Sequence, residues 1–202
     1  MKKFFAILLT ALLVFSLAAC GGNRNSSNDR DDETAKKPDP VETADPVDPL
    51  ELLTTVWDSY GNDEKFPIAG GDLSEENMTM DAPGKFDVSD ADALDVTLGF
   101  PAASADQIDD AASVVHMMNA NTFTCGAFHL KDAGTSADVS AAIKDNIMHR
   151  QWLCGFPDKL VIVEVDDCLV AFFGANDLVD AFAAKLTAAY SGAKTVCDEP
   201  IA

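Results

Sequence analysis

The apolar positions of this chain change their spacing along its length. Residues 4–15 form an almost unbroken apolar run behind Lys2 and Lys3. Residues 21–48 carry almost no large apolar side chain. From Pro49 onward, apolar residues recur at helical and strand spacings. Asp48-Pro49-Leu50-Glu51 predicts a helix start, with Asp48 as cap, Pro49 at the first helical position and Glu51 placed to reach back. Leu53, Val56, Trp57 and Tyr60 then share one face, and Gly61-Asn62-Asp63 ends the helix. Residues 64–88 hold Gly70-Gly71 and Pro83-Gly84 and read as irregular. Ser89 is placed to cap a short helix carrying Ala91, Leu94 and Leu98, with Gly99 as its stop.

Beyond residue 111 the pattern becomes richer. Segments 113–118 and 122–131 read as two strands around a turn at Asn119-Ala120-Asn121. The first also fits a helix extended from Asp106. Residues 136–153 read as an amphipathic helix capped by Ser136, with Val139, Ile143 and Ile147 in line and Gly155-Phe156-Pro157 as terminator. Segments 160–165 and 168–174 predict a hairpin across Asp166-Asp167. Asn176 is placed to cap a last helix with Leu178, Phe182, Leu186 and Ala189 in line, and residues 195–197 suit a short edge strand.

This order is strand-strand-helix, twice. Ala127-Phe128-His129-Leu130-Lys131-Asp132 precedes one helix and Ala171-Phe172-Phe173-Gly174-Ala175-Asn176 the other, which suggests a duplicated ββα unit. The predicted class is α+β: an antiparallel sheet with helices on one face. Residues 103–202 form the ββαββα core and 49–102 a helical and irregular covering segment, together one domain over 49–202. In the hairpin, Val161, Val163 and Val165 share a face with Cys168, Val170 and Phe172, while Leu160, Ile162 and Glu164 lie opposite with Leu169, Ala171 and Phe173. Both faces are largely apolar, whereas an open antiparallel sheet usually wets one of them. Residues 50–102 are therefore expected to cover the second face, with self-association as the alternative.

The N-terminus decides where the domain works. Basic, apolar and small residues follow one another into Leu17-Ala18-Ala19-Cys20-Gly21-Gly22, the order of a secretory signal. The apolar run, roughly 12–16 residues, falls short of the ~20 that span a bilayer. The four residues ending at Cys20 resemble the lipobox of bacterial lipoproteins. That resemblance implies a signal peptide over 1–19, cleavage before Cys20, a diacylglycerol on its sulfur, and a protein held at the outer face of the cell membrane. Several acyl chains on one residue anchor almost permanently, where a single chain holds only marginally. Residues 20–48 would then be the lipidated cysteine and a tether whose composition predicts disorder and a stand-off of roughly 30 Å.

Between about residues 86 and 190 the chain carries a helix and turn at Leu94 to Phe100, a strand Gly126-Ala127-Phe128-His129-Leu130 running into Lys131-Asp132, a helix ending at Arg150-Gln151 and the later hairpin and helix. In this set the chain resembles a family of uncharacterised lipoproteins from Gram-positive gut bacteria. The resemblance implies a lipid-anchored α+β domain and offers no catalytic residues to transfer. Residues 49–85 lie outside it.

Charge narrows the partners. The chain has 14 Lys and Arg against 34 Asp and Glu, a net of −20. Phosphate backbones are repelled by such a surface, which excludes nucleic acid as an expected partner. Anionic lipid head groups are expected to repel the domain as well. Of the five cysteines, Cys20 is the lipidation site. Cys125, Cys154, Cys168 and Cys197 are an even set, open to disulfide pairing outside the cytosol in any of three connectivities. None forms a C-x-x-C or a zinc spacing, and Cys125, Cys154 and Cys168 sit among apolar residues, where a free cysteine acts as a small core group.

The search for chemistry is otherwise negative. His116, His129 and His149 are isolated in sequence, and the first two are expected on opposite sheet faces. Asp87, Ser89, Asp90, Asp92 and Asp95 lack the glycine and the late glutamate of a calcium loop and read as helix-capping acids. No nucleophile elbow or phosphate loop occurs. Trp57 and Trp152 read as core residues on helix faces. No metal or cofactor is expected. The function read from the sequence is a non-catalytic module that binds a small ligand or a protein partner beside the membrane. The alternative is an envelope-acting hydrolase whose site is scattered along the chain.

Overall fold

Alternating apolar residues pair into one eight-stranded sheet, antiparallel throughout. The computed structural model describes residues 46–201. The expected signal peptide, Cys20 and the tether as far as residue 45 lie outside the described residues. The elements are α1 (Pro49–Asp58), β1 (Ile68–Gly70), β2 (Thr79–Met80), β3 (Gly84–Lys85), α2 (Ala91–Ala93) running into a π turn (Leu94–Leu98), β4 (Ile108–His116), β5 (Phe123–Leu130), α3 (Ser136–Met148), β6 (Lys159–Val165), β7 (Cys168–Gly174), α4 (Asn176–Ala189) and β8 (Lys194–Pro200). The strand order is β2-β1-β4-β5-β7-β6-β8, with β3 also paired to β4. The chain is therefore α+β.

The hairpin β6–β7 pairs Val165 with Cys168 across Asp166-Asp167, and Asp166 takes the positive φ of 52° that a short polar side chain tolerates there. Its two faces divide as alternation dictates. Val161, Val163, Val165, Cys168, Val170 and Phe172 join one apolar cluster; Leu160, Ile162, Leu169, Ala171 and Phe173 join the other. Both faces are covered within the chain. α1 and α4 pack the first through Leu52, Leu53, Val56, Val179, Phe182 and Leu186. α3 and the π turn pack the second through Val139, Ile143, Ile147, Leu94 and Leu98, joined by Phe86 and Phe100. Helices thus lie on both faces rather than one. The sheet is apolar on both sides and so needs two layers of cover. Residues 49–102 supply part of each layer.

Several local expectations change in the folded chain. Residues 64–88 contain three short strands. Their two or three residues are too few to show alternation, and glycine lets them cross closely: a Cβ on Gly70 would lie 2.1 Å from the Gly84 nitrogen. β4 starts at Ile108, so no helix extends from Asp106. Asp90, not Ser89, caps α2, accepting from the Ala93 N–H at 2.9 Å, while Gly99 ends the π turn at φ 73°. α3 stops at Met148, because Arg150 turns away to bond the Val96 carbonyl. Ser136 is its first residue rather than its cap, and its hydroxyl hydrogen-bonds Glu164. The first N–H of α4 donates to the Asp158 carboxylate at 3.2 Å, so Asn176 is not the cap there. At α1 the expected cap is in place, with Asp48 accepting from Leu50 and Glu51 at 2.8 and 3.0 Å. Packing begins just before it, at Val47, which is buried.

Phe182 holds α4 to the sheet, with its ring 5.3 Å from Phe123 and 4.9 Å from Phe172, fully buried. Phe182→Ala is expected to lower unfolding free energy by about 3–5 kcal/mol. Urea denaturation followed by circular dichroism measures it, and a loss below about 1 kcal/mol would mean that α4 is not part of the core.

Candidate functional site

Polar groups gather at the end of the sheet where the described chain begins. His129, near the end of β5, lies beside the irregularity between Ile108 and Asp110 in β4. The imidazole meets Asp109 through Nδ1 at 2.5 Å and Asp167 through Nε2 at 3.1 Å. The other oxygen of Asp167 accepts from the Val47 N–H at 3.2 Å. Lys85 bridges Asp48, at 3.2 Å, and Asp110. A cleft of about 510 Å³ opens over this group, walled by Pro46, Val47 and Pro49.

The electrostatics follow from the pairing. Burial alone would lower the His129 pKa, but the hydrogen bonds to Asp109 and Asp167 and their charges outweigh it, so the pKa is raised. Burial alone would raise Asp48, but hydrogen bonds from Glu51 and Lys85 hold its carboxyl below the usual range. Both nitrogens of His129 are engaged by carboxylates. An imidazolium held in this way has no free lone pair with which to act as a base. Cys168, next to Asp167, is a poor nucleophile, because burial pushes its thiol pKa far up and its Sγ lies 3.8 Å from the Val47 carbonyl. The arrangement ties β4, β5 and the β6–β7 turn to the incoming chain.

The other expected residues lie apart. His116 is on the same sheet face as His129, at the opposite end, stacked on Phe66 at 5.7 Å between ring centres. The expectation of opposite faces assumed a turn centred on Ala120. The observed register pairs Val115 with Thr124, one residue away, and a one-residue slip reverses the faces. His149 is exposed and bonds Asp145 on its own helix. Among Asp87, Ser89, Asp90, Asp92 and Asp95, Asp87 accepts from the Ser89 N–H, Asp90 caps α2 and Asp95 pairs with Arg150 at 3.3 Å. Among the described residues no cluster of three His, Cys, Asp or Glu is arranged to hold a metal ion.

The four cysteines in the described chain are free thiols. Cys125 and Cys168 occupy neighbouring strands on one face, but Cys125 pairs with Phe172, four residues from Cys168, a separation of about 13 Å. That exceeds disulfide reach. Cys197 packs in the opposite cluster. Cys154 is exposed, which corrects its expected apolar surroundings. Trp57 is core, as expected. Trp152 lies beyond α3 in a loop, its ring 5.3 Å from Phe173.

A second cluster, not anticipated from the sequence, occupies the far end of the sheet. The connections 117–122 and 149–158 are joined there by Asn119 Nδ2 donating to the Cys154 carbonyl and Asn121 Nδ2 to the Gly155 carbonyl, each at 3.0 Å. Arg150 lies 5.5 Å from the Trp152 ring and donates to the Val96 carbonyl at 3.2 Å. Around this frame Leu153 is 90% exposed, Met118 81%, Val96 76% and Phe156 75%. In the sequence Phe156 passed for part of a helix stop and Met118 for the end of a strand. The available signal was the density of large apolar residues in segments that also break secondary structure.

Comparison with models of known families, with curated proteins and with solved structures finds no match for this chain.

The tie at His129 carries a pH dependence. A raised pKa means that its stabilisation is complete below about 6.5, the free value, and is lost as pH rises through the folded value. His129→Gln is expected to cost about 2 kcal/mol at pH 6 and less at pH 9. It should also speed proteolysis at residues 46–48. Denaturant unfolding at both pH values reads the first effect, and equal losses at the two would show that folding does not raise the pKa of His129.

Proposed function

We propose that this protein is a lipoprotein anchored through Cys20 at the outer face of the cell membrane, where its folded domain acts by binding rather than by catalysis. The observation that carries the binding reading is the set of exposed apolar side chains on the hydrogen-bonded loops at the far end of the sheet. Leaving Leu153, Phe156, Met118 and Val96 in water is costly unless something covers them. The order of residues 2–22 supports the anchor.

A hydrolase acting on envelope material is the second reading, favoured by one observation: a histidine with three aspartates bordering an open cleft. It ranks second because both nitrogens of that histidine are occupied by carboxylates.

One measurement tests the anchor and a second separates the two readings. Cys20→Ala is expected to leave an uncleaved precursor that carries no diacylglycerol mass. An unmodified Cys20 thiol in wild-type protein from native membranes would overturn the anchor. His129→Gln is expected to leave every activity in a screen of peptidoglycan and polysaccharide substrates unchanged. Turnover by the wild type that disappears in this variant would reverse the ranking.

A further inference from the structure

We infer that the exposed tip formed by residues 117–122 and 149–158 inserts into the surface of a lipid bilayer, giving the domain a second, non-covalent hold on the membrane. The inference deepens the binding reading above by naming what the tip binds. Three observations converge on a lipid surface.

The first is chemical. The side chains offered to solvent, Val96, Met118, Leu153 and Phe156, are aliphatic or aromatic and are borne mostly on connecting loops. An acyl boundary accepts such groups without any matching shape. A stable protein interface engages roughly 20–30 residues a side. The tip presents a handful.

The second is charge. The chain has 34 Asp and Glu, yet residues 111–131 and 146–157 contain none. The cleft between the loops has one carboxylate, Asp95, which is paired with Arg150. Carboxylates resist transfer into a membrane interface, and those nearest this end, Asp158 just before β6 and Asp177 in the first turn of α4, border residues 117–122 and 149–157 rather than lie within them. The acidic body repels an anionic bilayer, but the tip does not.

The third is reach. Val47 is fastened at the opposite end of the sheet through Asp167, and β5 spans about 26 Å between the two ends. Residues 21–45 can extend at most roughly 85 Å. That length lets the domain lie with its tip against the same bilayer that holds the lipid of Cys20.

Cys154 sits between Leu153 and Phe156, and it is exposed while Cys125, Cys168 and Cys197 are buried. It is therefore a natural place for a polarity-sensitive dye. The lipidated mature protein, labelled there, is reconstituted in phosphatidylcholine vesicles with and without an equal share of phosphatidylglycerol. Dye that is shielded from aqueous iodide and quenched by spin-labelled lipid supports the inference. Leu153→Asp with Phe156→Asp should restore iodide access while the protein stays on the vesicles through its lipid. Both substitutions are at exposed positions, and unchanged circular dichroism confirms that the fold is kept. Equal iodide access in wild type and variant would overturn the inference. So would shielding that persists without vesicles in a species of twice the mass, because the occupant would then be a second copy. Failure of the anchor is read separately, as an unmodified Cys20 by mass spectrometry. In that event the same dye test on the mature chain with Cys20→Ser still decides the matter, and vesicle binding should fall at least about tenfold in the double variant.

Discussion

The fold depends on a sheet whose central strands are apolar on both faces. In β5, β6 and β7, successive residues point alternately into two separate clusters, so neither face can be left to water. Cover must arrive from both sides, and the order of the chain supplies it. α1 and α4 close one side. α3, the π turn, Phe86 and Phe100 close the other. The segment before residue 103 is a structural half of each layer, and neither layer is complete without it. β1 and β3 extend the sheet beyond β4 by passing backbone against backbone at Gly70 and Gly84, where no side chain fits.

With both faces covered, polar groups gather at the two ends of the sheet as well as along its outer flanks, and the ends differ. One collects carboxylates, Lys85 and His129 into a network in which Asp167 serves both the ring and the Val47 N–H. The other carries no carboxylate in residues 117–122 and 149–157, binds those segments together with the side-chain amides of Asn119 and Asn121, and leaves apolar groups in water. The network is satisfied and so stabilises the structure. The apolar end is unsatisfied and so is the end suited to meeting something else.

How much of this was legible in the sequence varied with the length scale of the signal. The β6–β7 hairpin was readable almost residue by residue, because strict alternation on both arms met at Asp166-Asp167. The start of α1 was readable because Asp48 and Pro49 each act locally. The shared face of His116 and His129 was not, since it turns on a single residue of register set by the connection 117–122. The choice of face for α3 and α4 was also hidden, because the helices are amphipathic in either position. Of the His129 cluster, only the residue types were visible. Val47, Asp109 and Asp167 are distant in sequence and meet through the sheet alone. The tip escaped notice because exposure is decided by how loops are propped, not by their composition.

The fastening at Val47 has a mechanical consequence. Any pull arriving along the backbone at Pro46 is passed by Asp167 into the turn of the central hairpin before it can reach α1. The neighbouring grip of His129 shares that tension with two further strands. A domain moored in this way resists being peeled from its first helix, and drag is borne by the paired strands instead.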